Sequence, residues 1–381
     1  MNGLAARTDA LDLLLFDVCD SLRLSVTQHN KAEDRYRAIA KVVGDANSPF
    51  SAWDSNVYPQ GSMRLRTTVK PIDNPHDLDL VCQFEVTHDD VNPVTLLEDM
   101  FRLFSEHGVY GGMVTKKNRC VRIEYKDEFW LDILPACRDD YNGGTCIQVP
   151  DRDKRHWKPS NPIAYAEWFK NASRRVLVKF SDSRRKLTVA DATVEPLPAL
   201  QETEEKTMLQ LVVQLLKRWR DVHYAESEYP PISVVLTTLA ADLYAGEQSI
   251  SAALLRVLDG IVARLDAAHA QARRLHVPNP VHLREDFSER WDSCRGAYLA
   301  FNDGIRKFAA FWREICQSQG NPGRLAKSVF GQVIDDAILR EARAMQADRS
   351  KSLLGISSTG RIVPASAAVA PMIRNTNHGT L

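Results

Sequence analysis

Asp132 lies in Phe129-Trp-Leu-Asp-Ile-Leu-Pro135, a run whose other members are apolar and which reads as a buried strand. A carboxylate there is costly unless something compensates its charge. Upstream, Asp77-Leu-Asp-Leu80 alternates polar and apolar. Side chains two apart on a strand share a face, so Asp77 and Asp79 project together while Leu78 and Leu80 point into the core. A fold that lays the two strands side by side gathers three carboxylates, and three like charges so close cannot all stay ionised without a cation. Two hard divalent ions about 3.5–4 Å apart answer that need through oxygen ligands, and such a pair clamps the attacking and leaving oxygens in phosphoryl transfer.

Gln60-Gly61-Ser62 supplies the complementary part. Glycine lets backbone approach a phosphate closely. Ser62 adds a hydroxyl donor, and the turn or helix start that follows presents N–H groups. Gly-Ser and Asp-x-Asp are each common alone. Gly-Ser some fifteen residues before Asp-x-Asp, with a third aspartate in a later apolar strand, is a much more specific pattern.

The surrounding chain reads as three regions. Leu11, Leu14, Leu15, Val18 and Leu22 share one helical face, and Ser25-Val-Thr-Gln28 reads as a capping box opening a second helix through Ala32, Tyr36, Ile39 and Val43. Strands are expected over residues 77–84, 112–116, 120–125 and 129–135, with a helix over 93–106. From Pro162 onward helices dominate, over 163–180, 204–225, 232–245, 250–270, 291–316 and 326–347. The stretch 181–198 reads as a mobile connection, and the residues from Ser350 as a flexible tail. The expected fold class is therefore α+β: a lobe with a small mixed sheet and N-terminal helices (residues 1–180), a helical lobe (181–349) and a tail (350–381).

Composition narrows the partners. Lys+Arg and Asp+Glu are both 49, for a formal net charge of zero, which argues against a broad phosphate-binding face. No run approaches the roughly 18–20 apolar residues of a membrane span, and no targeting segment is evident, so no membrane partner is expected and a cytoplasmic location is. The seven cysteines form no C-x-x-C and read as reduced thiols. The basic stretch Arg174 to Lys186 reads as a solvated face or the wall of an anionic groove, Asp151 to Lys158 as a loop overhanging the site, and its Trp157 as a loop anchor or a base-stacking residue.

Gly61-Ser62, Asp77-x-Asp79 and Asp132 resemble the signature of the polymerase-β-like nucleotidyltransferases. Tyr58-Pro-Gln-Gly-Ser-Met-Arg-Leu-Arg-Thr-Thr-Val-Lys-Pro71, His76-Asp-Leu-Asp-Leu-Val81 and Leu131-Asp-Ile-Leu-Pro135 are similar to one branch, the bacterial cGAS/DncV-like nucleotidyltransferases of CBASS antiphage systems. So are Ile147 to Arg152, Ser160-Asn-Pro162 and Tyr165 to Phe169. The resemblance implies a bilobed enzyme that makes a cyclic di- or trinucleotide second messenger from NTPs, ATP and/or GTP, with two Mg²⁺ ions (Mn²⁺ as the alternative) on Asp77, Asp79 and Asp132. It implies nucleotide binding by Gln60, Gly61 and Ser62, and extends that role to Lys217, in Leu211-Val-Val-Gln-Leu-Leu-Lys-Arg-Trp219, and to Ser233, in Pro230-Pro-Ile-Ser233. Read from the residues alone, Lys217 is equally a solvated helix charge and Ser233 a helix cap. CBASS accessory proteins are expected partners and a nucleic-acid activator is not. The alternative acceptor, within the same superfamily, is a tRNA or protein, as in toxin-type nucleotidyltransferases.

Overall fold

The computed structural model describes residues 2–72, 75–126, 129–174, 195–317 and 322–339, with strand segments at 354–356, 362–364 and 370–371. The stretch 181–194 of the expected connection, and the basic stretch apart from Arg174, lie outside the described residues.

The chain begins with α1 (Asn2–Ser21) and α2 (Val26–Val43), and Ser25 closes the expected capping box with Gln28. There follow β1 (Ser55–Pro59), the short helix α3 (Gly61–Leu65), β2 (His76–Thr87) and α4 (Pro93–Ser105). Asn92 caps α4 and Pro93 opens it, at the position where a missing N–H costs nothing. Strands β3 (Val114–Lys116), β4 (Val121–Tyr125), β5 (Phe129–Arg138), β6 (Ile147–Asp151) and β7 (His156–Ser160) complete a seven-stranded mixed sheet. Its order is β1-β2-β5-β4-β3, with β6 paired to β5 and β7 to β6. Helices take over from Pro162: α5 (Pro162–Ser173), α6 (Met208–His223), α7 (Ser233–Leu243) and α8 (Ile250–Ala270). The hairpin β8 (Pro278–Asn279) and β9 (His282–Asp286) precedes α9 (Arg290–Ser293), α10 (Arg295–Gln317) and α11 (Pro322–Phe330).

One face of the sheet is covered. Leu78, Leu80, Cys82 and Phe84 of β2 share a core with Tyr36 and Ile39 of α2 and Leu97 and Met100 of α4. A second core unites α6, α7, α8, α10 and α11. Three elements on the N-terminal side of residue 180 belong to this second core: α1, through Leu15, Val18 and Leu22, α3, through Leu65, and α5, through Tyr165, Phe169 and Ala172. Among the described helices the covered face of the sheet is backed by α2 and α4, with Met63 of α3.

Three features departed from expectation. The segment 151–158, expected as an overhanging loop, is largely the β6–β7 hairpin. Its second strand, His-Trp-Lys-Pro-Ser, has no alternation and contains Pro159, which is tolerated because β7 is an edge strand. The expected helix over 291–316 is split at Cys294, whose non-helical backbone separates α9 from α10. Within the expected tail, β10 (Leu354–Ile356), β11 (Ile362–Pro364) and β12 (Ala370–Pro371) pair as a three-stranded sheet. Runs of two or three residues are too short to show a period of two.

All seven cysteines are free. Among the described residues no helix is long and apolar enough to cross a membrane.

Candidate active site

β2 and β5 run parallel, with Asp79 opposite Asp132 and Asp77 opposite Trp130. The register therefore brings the three carboxylates onto one face of adjacent strands, the face not covered by α2 and α4. Asp77 and Asp79 line a cavity of about 680 Å³, in the range of small-molecule sites, with Gln60, Gly61, Ser62, Lys217 and Ser233. Seven of the eight expected site residues thus meet in one cavity.

Asp132, the eighth, is placed differently. Arg122 on β4, its register partner, grips it with two parallel bonds, Nε to Oδ1 at 2.7 Å and a terminal nitrogen to Oδ2 at 2.8 Å. Arg122 also lies 3.4 Å from Asp77 Oδ1 and stacks over Trp130 at 4.6 Å. The expected compensation of Asp132 by a cation is thus supplied in this structure by a guanidinium. Among the described residues no three acidic, histidine or cysteine side chains converge as a ready-made ion cage. The sequence held the signal for Arg122, a lone basic residue in the alternating strand Val121-Arg-Ile-Glu-Tyr125, but not its register.

Asp79 has no such partner. Its carboxyl is pushed up to about 7 by burial first, then by the neighbouring charges of Asp132 and Asp77. Asp77 is also raised, by desolvation against the cavity wall, though its side chain remains 56% accessible. Hard oxygen donors raised by mutual repulsion are the donor set that suits a divalent cation.

Gly61 is fixed by geometry. Its φ is +58°, and a Cβ there would lie 2.6 Å from Asp79 Oδ2. Gln60 N–H donates to the Asp79 carbonyl at 2.9 Å, so the turn is stitched to the strand that carries the carboxylates. Ser62 accepts from the Thr68 hydroxyl at 3.5 Å. Arg64 also lines the cavity and donates to Glu195 at 2.9 Å and to the Pro59 carbonyl at 3.3 Å.

Lys217 is no solvated charge. It is 5% exposed, and Nζ donates to Thr67 O at 3.0 Å and Thr67 Oγ1 at 2.9 Å. Burial, then Arg220, pushes it down to about 7, against the pull of Asp79. Its neighbours on α6 extend a polar seam. Gln210, Gln214 and Arg218 donate to the carbonyls of Leu65, Thr68 and Lys70 at 3.0, 2.8 and 3.2 Å. Arg220 and Asp221 also line the cavity; Arg220 pairs with Asp221 at 3.0 Å and donates to the Ser233 hydroxyl. Sequence reasoning missed both, although they stand three and four residues beyond Lys217, on its helical face. Trp157 packs edge-on to His88 at 6.0 Å against the sheet core and does not line the cavity.

The model of the Second Messenger Oligonucleotide or Dinucleotide Synthetase domain matches residues 14–172. The chain is 29% identical to a c-di-GMP synthase of Roseivirga ehrenbergii, over 98% of each sequence. It is 25% identical to the cyclic dinucleotide synthase CdnG of Bradyrhizobium diazoefficiens, over 95% of this chain and 90% of the relative. Among solved structures, that CdnG in complex with GTP superposes with a TM-score of 0.71, at 23% identity, covering 87% of this chain and 99% of that one. Apo DncV of Vibrio cholerae gives a TM-score of 0.55 at 14% identity, covering 89% and 91%.

Proposed function

We propose that the chain is a cGAS/DncV-like nucleotidyltransferase of the polymerase-β-like superfamily, and that its cavity makes a cyclic oligonucleotide second messenger from nucleoside triphosphates. The reaction joins the α-phosphate of a donor to a ribose hydroxyl of an acceptor. The bond from the α-phosphate to the departing pyrophosphate breaks and the hydroxyl gives up its proton. A second round on the reoriented intermediate closes the ring. The single observation that carries this reading is the β2–β5 register, which sets Asp132 beside Asp79, itself on the wall of a cavity that Lys217 also lines.

Enzymes of this family work with divalent metal ions. Asp77 and Asp79 would hold two of them, Mg²⁺ or in its place Mn²⁺, with Asp132 completing the set when Arg122 yields it. Held by these carboxylates, the ions would supply charge neutralisation for the triphosphate and a lowered pKa for the acceptor hydroxyl. The protein's own groups hold the donor from the other side. The bare Cα of Gly61 leaves room beside Asp79, Ser62 and Ser233 offer hydroxyls, and Gln60 anchors the turn to β2. Lys217, pushed down to about 7, takes up a proton as the anionic triphosphate enters and then binds it as a cation.

The relatives are named for c-di-GMP and cyclic dinucleotides, and one solved relative holds GTP. We therefore take GTP as a substrate here, in an antiphage setting with accessory proteins and without a nucleic-acid activator. The test is nuclease-treated, purified enzyme incubated with Mg²⁺ and all four NTPs, with mass spectrometry of the small-molecule fraction. A cyclic di- or trinucleotide is expected. Absence of any low-mass product, with label from radiolabelled NTPs appearing instead on tRNA or protein added to a parallel reaction, would refute the reading.

A further inference from the structure

The cavity contains a carboxylate, Glu285, that the chemistry above leaves unused. Glu285 of β9 lines it with Asn279 of β8, Ser160 at the end of β7, and the rings of Tyr165 and Phe287, which meet edge to face at 5.7 Å. Asn279 Nδ2 donates to Glu285 Oε2 at 2.6 Å, and Asn279 Oδ1 accepts from the Val281 N–H at 3.0 Å, which fixes the amide's orientation. The Ser160 hydroxyl is shared between Oε1 and Oε2 at 3.1 and 3.2 Å. Among the described residues no lysine or arginine forms an ion pair with Glu285; the nearby Arg119 is engaged by Asp151 and Glu289. Burial pushes the Glu285 carboxyl up. A carboxylate has about four acceptor sites, and Oε1 receives only the proton it shares with Oε2. The group is held rigidly and still short of donors.

The parts of a nucleotide differ in what they can give it. A triphosphate is anionic and is repelled. Adenine and cytosine set an acceptor beside their exocyclic amine, and uracil flanks its single N–H with two carbonyls. Only the Watson–Crick edge of guanine sets two donors side by side, N1–H and the 2-amino group, matching a carboxylate's two oxygens. We propose that Glu285, oriented by Ser160 and Asn279, reads a guanine base in this cavity and sets the base preference of the enzyme. The inference rests on the nucleotidyltransferase reading of the same cavity. The trio joins both halves of the molecule, since Ser160 comes from the sheet and the β8–β9 hairpin from the chain between α8 and α9, so a bound guanine would fill a seam between them.

The test compares initial rates of pyrophosphate release with GTP, ITP and ATP, on the full chain and on Glu285→Gln. ITP keeps N1–H and the ribose but lacks the 2-amino group. One hydrogen bond to a charged group corresponds to roughly 10- to 150-fold, so wild-type kcat/KM for ITP is expected at least about tenfold below GTP, carried by KM. Glu285→Gln should lose GTP use through KM and bring the GTP/ITP ratio close to one, with an unchanged melting temperature. The wild-type GTP/ITP ratio needs no mutant, so it stands even if the variant misfolds. Equal use of GTP and ITP by the wild type would overturn the inference and point to the ribose hydroxyls as the donors. A folded Glu285→Gln that keeps the wild-type ratio would overturn it too. Failure of the wild type to make product from any triphosphate would instead overturn the parent reading.

Discussion

Gly61→Ala isolates the closest contact in the site. Two costs can be worked from the structure. The backbone at residue 61 has φ of +58°, a left-handed conformation that costs an L-residue about 1–2 kcal/mol. The new methyl would also stand 2.6 Å from Asp79 Oδ2, 3.4 Å from Cγ and 3.6 Å from Cβ, so the carboxylate and not the strand must give way. Asp79 is the carboxylate nearest the turn, and a displacement on the order of 1 Å in a reacting constellation can cost about 100-fold. The expected variant is folded, melts a few degrees lower, and releases pyrophosphate at least about 100-fold more slowly. A double-mutant cycle separates the two costs. In an Asp79→Ala background the methyl meets only an ordinary contact, so Gly61→Ala should there lose only the backbone cost of about 1–2 kcal/mol, measured by denaturant titration. Wild-type turnover in Gly61→Ala, or an equal stability loss in both backgrounds, would refute the steric argument.

The remaining predictions concern charge. Asp77→Asn with Asp79→Asn should abolish turnover while the metal-free protein melts at the same temperature or higher, since repulsion within the carboxylate cluster is relieved; wild-type-like product would sink the assignment. The folded Asp79 carboxyl sits at about 7 against 3.8 unfolded, so the native state holds an extra proton between those values and metal-free stability falls as pH rises through that window. The melting temperature of Asp79→Asn in EDTA should accordingly gain on wild type from pH 4.5 to 7.5; a constant difference would contradict the sign. Lys217→Met, which keeps the buried volume, should retain the fold and lose roughly 10- to 150-fold in turnover efficiency, as for a hydrogen bond to a charged group. Unchanged kinetics for donor NTP would show that its role ends at Thr67.

What was legible in the sequence followed from short-range geometry. The period of two in Asp77-Leu-Asp-Leu80 gives the shared face whatever the strand pairs with, and the capping box at Ser25 fixes the start of α2 from four residues. Asp132 was legible for a different reason, the cost of a charge in an apolar strand, but the identity of its compensating group was not. That depends on which residue of β4 stands opposite, and a slip of one position would replace Arg122 by Val121 or Ile123. Glu285 and Asn279 were illegible because β8 and β9 are too short for a period, and because their meeting with Ser160 spans more than a hundred positions.

The polar residues of α6 show how one chemical signal can carry two meanings. A row of Gln, Gln, Lys and Arg on a helix reads as a solvated face when only the sequence is seen. At positions 210, 214, 217 and 218 the spacing is four, then three, then one, so the side chains lie along one side of the helix. Their donors meet the carbonyls of Leu65, Thr67, Thr68 and Lys70 instead of water. That segment follows Gly61-Ser62 directly, and it cannot satisfy its carbonyls internally because the left-handed Arg66 ends α3 after five residues. The turn beside the carboxylates is thus held from one side by the Gln60 bond to β2 and from the other by α6. Lys217 stands at the point in that row where the seam opens into the cavity. The same ammonium group that fastens the segment is then within the space a triphosphate would fill, and its position is set by the packing of the second core, not by the strand that carries the aspartates.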